Sequence, residues 1–245
     1  MNYGVILAGG KGTRIKKINI PKQYYEINGI PIIIYTLRKM LSIKAFDYIY
    51  IAIDNDYYGV VNNYLNKFID KNSLKKIKIV TGGKERIDTI HNVIEEIKKN
   101  DISDNDVIVI HDAVRPFVTE RILKDSIEGA RKYGACVASV KVSDTMLIST
   151  SGEYVEKIPD RNSIYKGQSP DSFNLKKFIE LETNLTEEEK KIIVGTSQIC
   201  TMNNYPIRMI EGDNINFKIT SDSDIDLAEN IILSSERGGK NEKTM

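Results

Sequence analysis

Alternation governs the first half of this chain. Mostly apolar runs at residues 3–7, 48–53, 77–81 and 107–111 are separated by helical patterns at 31–41, 57–69 and 86–98. In the last of these, Ile87, Ile90, Ile94 and Ile97 return at helical spacing and share one face. Thr119 stands where an N-cap belongs, ahead of a helix that turns Ile122, Leu123, Ile127 and Ala130 inward. Strands that are apolar throughout, each followed by a helix, imply a mostly parallel sheet covered on both faces. Ligands of such sheets bind at the carboxyl ends of the strands. The length of 245 residues suits one domain, expected over 1–233, with a polar, flexible tail at 234–245.

The first strand runs into a glycine loop, Leu7-Ala8-Gly9-Gly10-Lys11-Gly12-Thr13-Arg14, and Pro21-Lys22-Gln23 follows shortly after. Glycines let backbone N–H groups approach a ligand closely, and successive N–H groups form a nest for anions. Arg14 and Lys22 add cations where a polyphosphate would lie. The dinucleotide fingerprint is excluded, because Ile15 stands where its third glycine belongs, and no stretch supplies the G-x-x-x-x-G-K-[ST] loop. Taken alone, a glycine triplet could equally be a turn with no ligand; the Arg14 and Pro21-Lys22-Gln23 continuation favours a nucleoside triphosphate.

Other candidates lie at later strand ends. Asp112 in His111-Asp112-Ala113-Val114-Arg115-Pro116 is placed to hold Mg²⁺ against phosphate oxygens, or to cap a turn. Arg115 reads as an anchor for that loop, paired with a carboxylate. Thr81-Gly82-Gly83, with Asp88 and Thr89 beyond it, forms a second glycine loop that would cap a base or ribose, or would be a plain strand-to-helix turn. His91 reads as a packing residue. Arg161 and Lys218 are candidates for a second anion or ordinary surface cations. The acidic run 221–226 lacks the spacing of a calcium loop and reads as the cap of a helix over 227–233. No nucleophile-and-base constellation or metal-ligand cluster stands out, so the cations point to phosphoryl or nucleotidyl transfer, where positioning and charge neutralisation supply most of the catalysis.

Residues 136–157 break the rhythm. Short strand-like runs at 137–142, 145–149 and 154–157, separated by polar turns, read as a hairpin arm over about 136–160. Such an arm either packs on a partner or edges the main sheet. The net charge of +1 gives no field for nucleic acid or an anionic membrane. No apolar run is long enough to span a bilayer, and the first strand is not a signal peptide, so the expected location is cytoplasmic. Cys136 and Cys200, far apart among small and apolar neighbours, read as core residues.

The order of four motifs resembles the cytidylyltransferases of the methylerythritol-phosphate and ribitol-5-phosphate type. They are residues 7–14 with 21–23, then 111–117, then Gly167-Gln168-Ser169-Pro170-Asp171-Ser172-Phe173, and finally Asn216-Phe217-Lys218-Ile219-Thr220. The resemblance runs to about residue 233. It implies a Rossmann-like α/β nucleotidyltransferase fold, mostly parallel with helices on both faces, and a homodimer joined by the arm. It implies that CTP and a polyol phosphate give a CDP-polyol and pyrophosphate, with Mg²⁺. Carried over by position, Arg14 and Lys22 stabilise the transition state at the α-phosphate. Leu7, Ala8, Gly9 and Gly10 contact CTP, as does the stretch from Thr81 to Asp88, Gly82 and Gly83 included, together with Thr89. Asp112 meets the nucleotide and the metal, while Arg161 and Lys218 hold the acceptor phosphate.

Tyr165-Lys166-Gly167-Gln168-Ser169-Pro170, in a chain without tryptophan, is similar to the ribitol-5-phosphate branch, so D-ribitol 5-phosphate is the expected acceptor and teichoic acid or capsule synthesis the expected context. A glycerol phosphate or 2-C-methyl-D-erythritol 4-phosphate is the alternative. One departure bears on this choice. The Thr-Asp pair of the ribitol branch is replaced by Val194-Gly195 when aligned without gaps, or is met by Thr196-Ser197 with a shift. Two further readings are a non-catalytic nucleotide-binding protein and a sugar-1-phosphate nucleotidyltransferase using UTP or GTP. The former would not need Arg161 and Lys218, and the latter is disfavoured by the 111–112 and 167–168 motifs.

Overall fold

The computed structural model describes residues 1–10 and 20–241, from residue 235 onward by backbone alone. Strand β1 (Asn2–Ala8) leads to a small hairpin, β2 (Glu26–Ile27) and β3 (Ile30–Pro31), and to helix α1 (Ile32–Ser42). Next come β4 (Tyr48–Ile53), α2 (Tyr58–Phe68), the short α3 (Lys71–Leu74), β5 (Ile77–Thr81) and α4 (Arg86–Ile97). β6 (Val107–Asp112), α5 (Glu120–Tyr133), β7 (Ala135–Lys141), β8 (Tyr165–Asn174) and α6 (Leu175–Thr183) follow. The chain then forms α7 (Glu187–Ile192), α8 (Gln198–Met202), β9 (Arg208–Glu211) and α9 (Asp222–Asn241).

The main sheet has seven strands in the order β5-β4-β1-β6-β8-β7-β9. All pairings are parallel except those of β8, which runs against both β6 and β7. Period-2 alternation splits the buried side chains between two cores. Ile6, Ile49, Ile51, Val107 and Val109 pack with α1, α2 and α5 on one face, while Val5, Tyr50, Ala52, Ile108 and Ile110 pack with α4, α6 and α8 on the other. Burying each such aliphatic side chain contributes about 1.5–3 kcal/mol, so a register slip in the central strands would be severely unfavourable. α9 closes a third cluster, in which Ile225, Ala228 and Ile232 meet Ile27 and Ile32.

Several elements depart from the sequence reading. The expected strand at 137–142 is the end of β7 and belongs to the main sheet, and Lys141 pairs with Tyr165 where the arm leaves and returns. Beyond it, the expected strands at 145–149 and 154–157 reduce to one isolated bridge, Ile148 to Lys157, because their apolar side chains find no surface among the described residues to pack on. β2 and β3 are joined by Asn28-Gly29, both at positive φ (51° and 73°), a turn signature that permits pairing after very short strands. α9 starts at Asp222 rather than 227. Asp224 is its capping side chain, accepting from Thr220 N and Ser221 N, and the helix continues through the expected tail to Asn241. Thr119 does cap α5, accepting from Ile122 N. His91 is not packed: its half-exposed ring lies 3.1 Å from buried Glu182. Cys136 and Cys200 are buried and free. Among the described residues, no helix is long and apolar enough to cross a membrane.

Candidate active site

The carboxyl ends of β1 and β6 are adjacent, with Leu7 opposite Asp112, and a cleft of about 310 Å³ opens above them. The glycine loop is held from behind. Buried Gln23 donates through Nε2 to the carbonyls of Ala8 (2.6 Å) and Gly10 (2.9 Å), fixing the backbone that enters the cleft. Among the described residues, a Cβ built on Gly9 or Gly10 would meet nothing within 4 Å, which leaves space in front of both for a ligand. Lys22 is also buried, and its Nζ donates to Ile219 O at 2.8 Å, tying this loop to the segment that carries Lys218. Arg14 lies outside the described residues.

Asp112 is the electrostatic centre of the cleft. Arg86 Nη1 reaches Oδ1 at 3.1 Å, Arg115 Nε reaches Oδ2 at 3.1 Å, and Lys218 Nζ lies 3.2 Å from Oδ2. Burial alone would raise this carboxyl; Arg86, Lys218 and Arg115 together overcome it and hold Asp112 well below the usual carboxylate range. Arg115 thus anchors the loop as the sequence suggested, and it also donates to Asn216 O at 2.8 Å. His111 is fully buried, and burial lowers its pKa to about 4. Its Nε2 faces the carbonyl of Arg115 (3.2 Å), which can only accept, so Nδ1 accepts from Ser169 Oγ at 3.0 Å. Neutral and bonded on both sides, His111 braces the loop and has no site from which to act as a base.

The second glycine loop supplies the opposite wall. Glu85 and Asp88 form a reciprocal capping box at the start of α4, and Thr89 Oγ1 accepts from Gly83 N at 3.0 Å while donating to Glu85 O. Gly83 is required there, since a Cβ would lie 2.2 Å from that of Asp88. The turn directs Gly83, Lys84, Glu85, Arg86 and Thr89 into the cleft. On the far side, Gln168 donates to Asp213 O at 2.7 Å and accepts from Asp213 N and Asn216 Nδ2, which fixes the loop leading to Lys218.

The cleft therefore gathers Leu7, Ala8, Gly9, Gly10, Lys22, Gly83, Thr89, Asp112 and Lys218 from the sequence candidates. Thr81, Gly82 and Asp88 do not line it. Thr81 ends β5 with its carbonyl bonded to Asn92, Gly82 N donates to Ile53 O, and Asp88 is spent on the capping box. Arg161 sits exposed in a short turn at the foot of the arm, outside the cleft of its own chain. Gln23 was not among the candidates, although it stood within a motif already singled out; Lys84, Glu85 and Arg86 belong to the stretch from Thr81 to Asp88 that the resemblance sets against CTP, and all three line the cleft. Val194 is 84% exposed and, like Gly195, is absent from the cleft wall, whereas Thr196 is fully buried against Arg86. Of the two ways of aligning that segment, the shifted one brings a hydroxyl toward the site.

A mostly parallel α/β sheet, a glycine loop at its switch region and a cluster of cations around one carboxylate define a nucleotidyltransferase domain. The chain belongs to the 2-C-methyl-D-erythritol 4-phosphate cytidylyltransferase (IspD) family, whose model matches residues 3–234, and it is a CTP-dependent nucleotidyltransferase. Among solved structures, the Francisella tularensis 2-C-methyl-D-erythritol 4-phosphate cytidylyltransferase is 27% identical, with a TM-score of 0.76, covering 93% of this chain and 97% of that one. The 4-diphosphocytidyl-2C-methyl-D-erythritol synthase of Anaerococcus prevotii is 24% identical (TM-score 0.75, covering 95% and 96%). The Thermus thermophilus 2-C-methyl-D-erythritol 4-phosphate cytidylyltransferase is 21% identical (TM-score 0.72, covering 94% and 98%). These last two share the fold.

Among the described residues no three His, Cys, Asp or Glu side chains converge as a metal cage. The donor set suits Mg²⁺ in another way. Asp112 is an ionised carboxylate at the cleft, and Mg²⁺ is usually bound by one or two carboxylates together with substrate phosphates.

Proposed function

We propose that this enzyme transfers the cytidylyl group of CTP to 2-C-methyl-D-erythritol 4-phosphate. The observation that carries the reading is the convergence of Lys22, Lys84, Arg86 and Lys218 on the open face of Gly9 and Gly10 around Asp112, in a chain of this family. An oxygen of the acceptor's phosphate attacks the α-phosphorus of CTP. The new P–O bond forms as the bond to the bridging oxygen of the β-phosphate breaks, and pyrophosphate leaves with that electron pair. The acceptor phosphate is already ionised at neutral pH, so the step needs no general base, in keeping with a His111 that is neutral and bonded on both sides.

In this reading the backbone of Leu7, Ala8, Gly9 and Gly10 faces the triphosphate, and Gly83 and Thr89 face the nucleoside. Lys22, together with Arg14, neutralises charge that grows at the α-phosphate, where preorganised donors have their largest effect. Asp112 would hold Mg²⁺ jointly with the phosphates, and that ion would supply further charge neutralisation. Lys218 holds the acceptor phosphate with Arg161, which reaches the site from a second copy of the chain in a homodimer built on the arm. The exposed position of Arg161, outside its own cleft, supports a role in trans.

D-ribitol 5-phosphate remains the second reading, supported by the Tyr165–Pro170 stretch. Pyrophosphate release from CTP, measured with 2-C-methyl-D-erythritol 4-phosphate, ribitol 5-phosphate and glycerol phosphates, separates them. The expected result is the highest kcat/KM with the methylerythritol acceptor. A higher value with ribitol 5-phosphate would move the assignment to the second reading, and no release with any acceptor would overturn the function altogether.

A further inference from the structure

Arg86 enters the cleft from the first position of α4, and it is gripped on two sides. Nη1 donates to Asp112 Oδ1 at 3.1 Å, while Nε and Nη2 both donate to Thr196 Oγ1 at 3.3 Å. Thr196 is fully buried between α7 and α8. A threonine hydroxyl has one proton to give, and a guanidinium only donates. The Thr196 proton is therefore turned away from Arg86, and Arg86 and Thr196 both favour the ionised form of the buried Asp171 carboxyl nearby. Asp171 lies in the middle of β8, with Ile110 and Val137 paired on either side and its side chain buried. A carboxyl in such a place is costly unless a donor and a nearby cation compensate it. Thr196 is the donor and Arg86 the cation.

We propose that Thr196 and Asp171 are positioning residues, which hold the Arg86 guanidinium in the orientation that receives the phosphates of the nucleotide. Neither residue lines the cleft. Their influence passes through one chain of contacts. The Asp171 carboxyl accepts the hydroxyl proton, the polarised hydroxyl oxygen becomes a better acceptor, and its two contacts fix the plane of the guanidinium. Three of the five guanidinium N–H groups are engaged in this way, and the other two remain for phosphate oxygens. Burial raises Asp171 to about 7, with the Arg86 charge opposing that rise.

The inference rests on the proposed reaction for the identity of the nucleotide, and the test keeps the two apart. CTP binding is measured by calorimetry with Mg²⁺, and KM and kcat by pyrophosphate release. Thr196→Val is expected to weaken CTP binding about tenfold, the effect of one lost hydrogen bond to a charged group, with kcat at saturating CTP retained. Thr196→Ser should keep the parent affinity, and Asp171→Asn should show a smaller loss in the same direction. In an Arg86→Ala background Thr196→Val should add nothing, because the contact it removes is already gone. Parent affinity in Thr196→Val, or a loss that persists without Arg86, overturns the proposal. If the valine variant does not fold, Asp171→Asn compared in the two backgrounds decides the same question. A parent enzyme that binds CTP but releases no pyrophosphate overturns the function, while the affinity comparison still decides the role of Thr196.

Discussion

Around Asp112, three cations, a buried histidine and the buried amide of Gln168 find their partners inside one chain. The arm between Lys141 and Tyr165 is the reverse. Leu147, Tyr154, Val155 and Ile158 are exposed, Tyr154 to 76%, and its backbone is pinned by a single bridge helped by Glu156 accepting from Thr150. The contrast separates two ways of preparing a site. Polar groups that satisfy one another within the fold are set before any ligand arrives and incur no reorganisation during reaction. Apolar groups left without cover have a use only when a second surface arrives. The cleft therefore holds the fixed chemistry of a single chain, and in the proposed homodimer the arm is where a second copy would join it.

The largest expected effect tests the first half of this contrast. Lys22→Ala removes a buried cation whose Nζ also joins the glycine loop to Ile219. Loss of one preorganised donor at such a site costs about 3–4 kcal/mol of transition-state stabilisation, on the order of a hundredfold to a thousandfold in kcat. Pyrophosphate release measures it, and circular dichroism checks that the fold persists. Turnover near the parent value would remove Lys22 from the reaction. Arg14→Ala is expected to behave in the same way.

The arm comes next. Because Lys141 and Tyr165 are already paired in register, residues 142–164 can be replaced by an Asn-Gly turn without cutting the sheet. Light scattering should then report a folded monomer, with activity reduced about tenfold to a hundredfold, the scale of losing a charge-assisted contact such as that assigned to Arg161. A fully active monomer would break the comparison, since the cleft would then need nothing from a second copy.

How far sequence went in revealing this site follows from the same contrast. The glycine loop, Lys22, Asp112 and Lys218 were legible because each lies in a short run whose residue types have few other uses at a strand end. The meeting of Arg86, Thr196 and Asp171 was not. All three stood inside stretches the sequence singles out, but they come from a helix start, a loop and mid-strand, and only the fold brings them together. The Asn28-Gly29 hairpin carried a readable signal, but its strands of two residues each were too short to show alternation. The arm misled for a physical reason. Its residues have strand-like character, yet pairing needs a packed face, and the described residues provide none.

A smaller effect appears in the pH dependence of stability. Burial raises Asp171 from 3.8 to about 7, so between those values the folded chain holds a proton that the unfolded chain has lost. Its contribution therefore falls as pH rises toward 7. Burial moves His111 the other way, from 6.5 to about 4, so its contribution grows over the same span and is lost as pH falls through about 4. Asp171→Asn removes only the first effect. Urea midpoints should show the variant gaining on the parent between pH 5 and pH 7. Parallel curves would mean that Asp171 is ionised throughout, and the picture of a weakly charged carboxyl behind Arg86 would fail.

The smallest effect is expected at Val194 and Gly195, the pair that a gap-free alignment makes responsible for acceptor choice. Val194 projects into solvent, a Cβ on Gly195 would make only an ordinary contact with Ser197 Oγ at 3.9 Å, and both backbone N–H groups bond to Gln198 Oε1 at 2.7 and 3.0 Å. Nothing about either side chain position depends on a small residue, so the Val194→Thr/Gly195→Asp variant should change stability by no more than about 0.5 kcal/mol. Within one chain neither position reaches the cleft, whereas Thr196 beside them does so through Arg86. The order of kcat/KM across 2-C-methyl-D-erythritol 4-phosphate, ribitol 5-phosphate and glycerol phosphates should accordingly match the parent. A reversed order in the intact variant, absent once the arm is excised, would place this exposed corner against the acceptor in the assembled dimer. The line between a self-sufficient cleft and an arm in need of a partner would then run through the acceptor pocket itself.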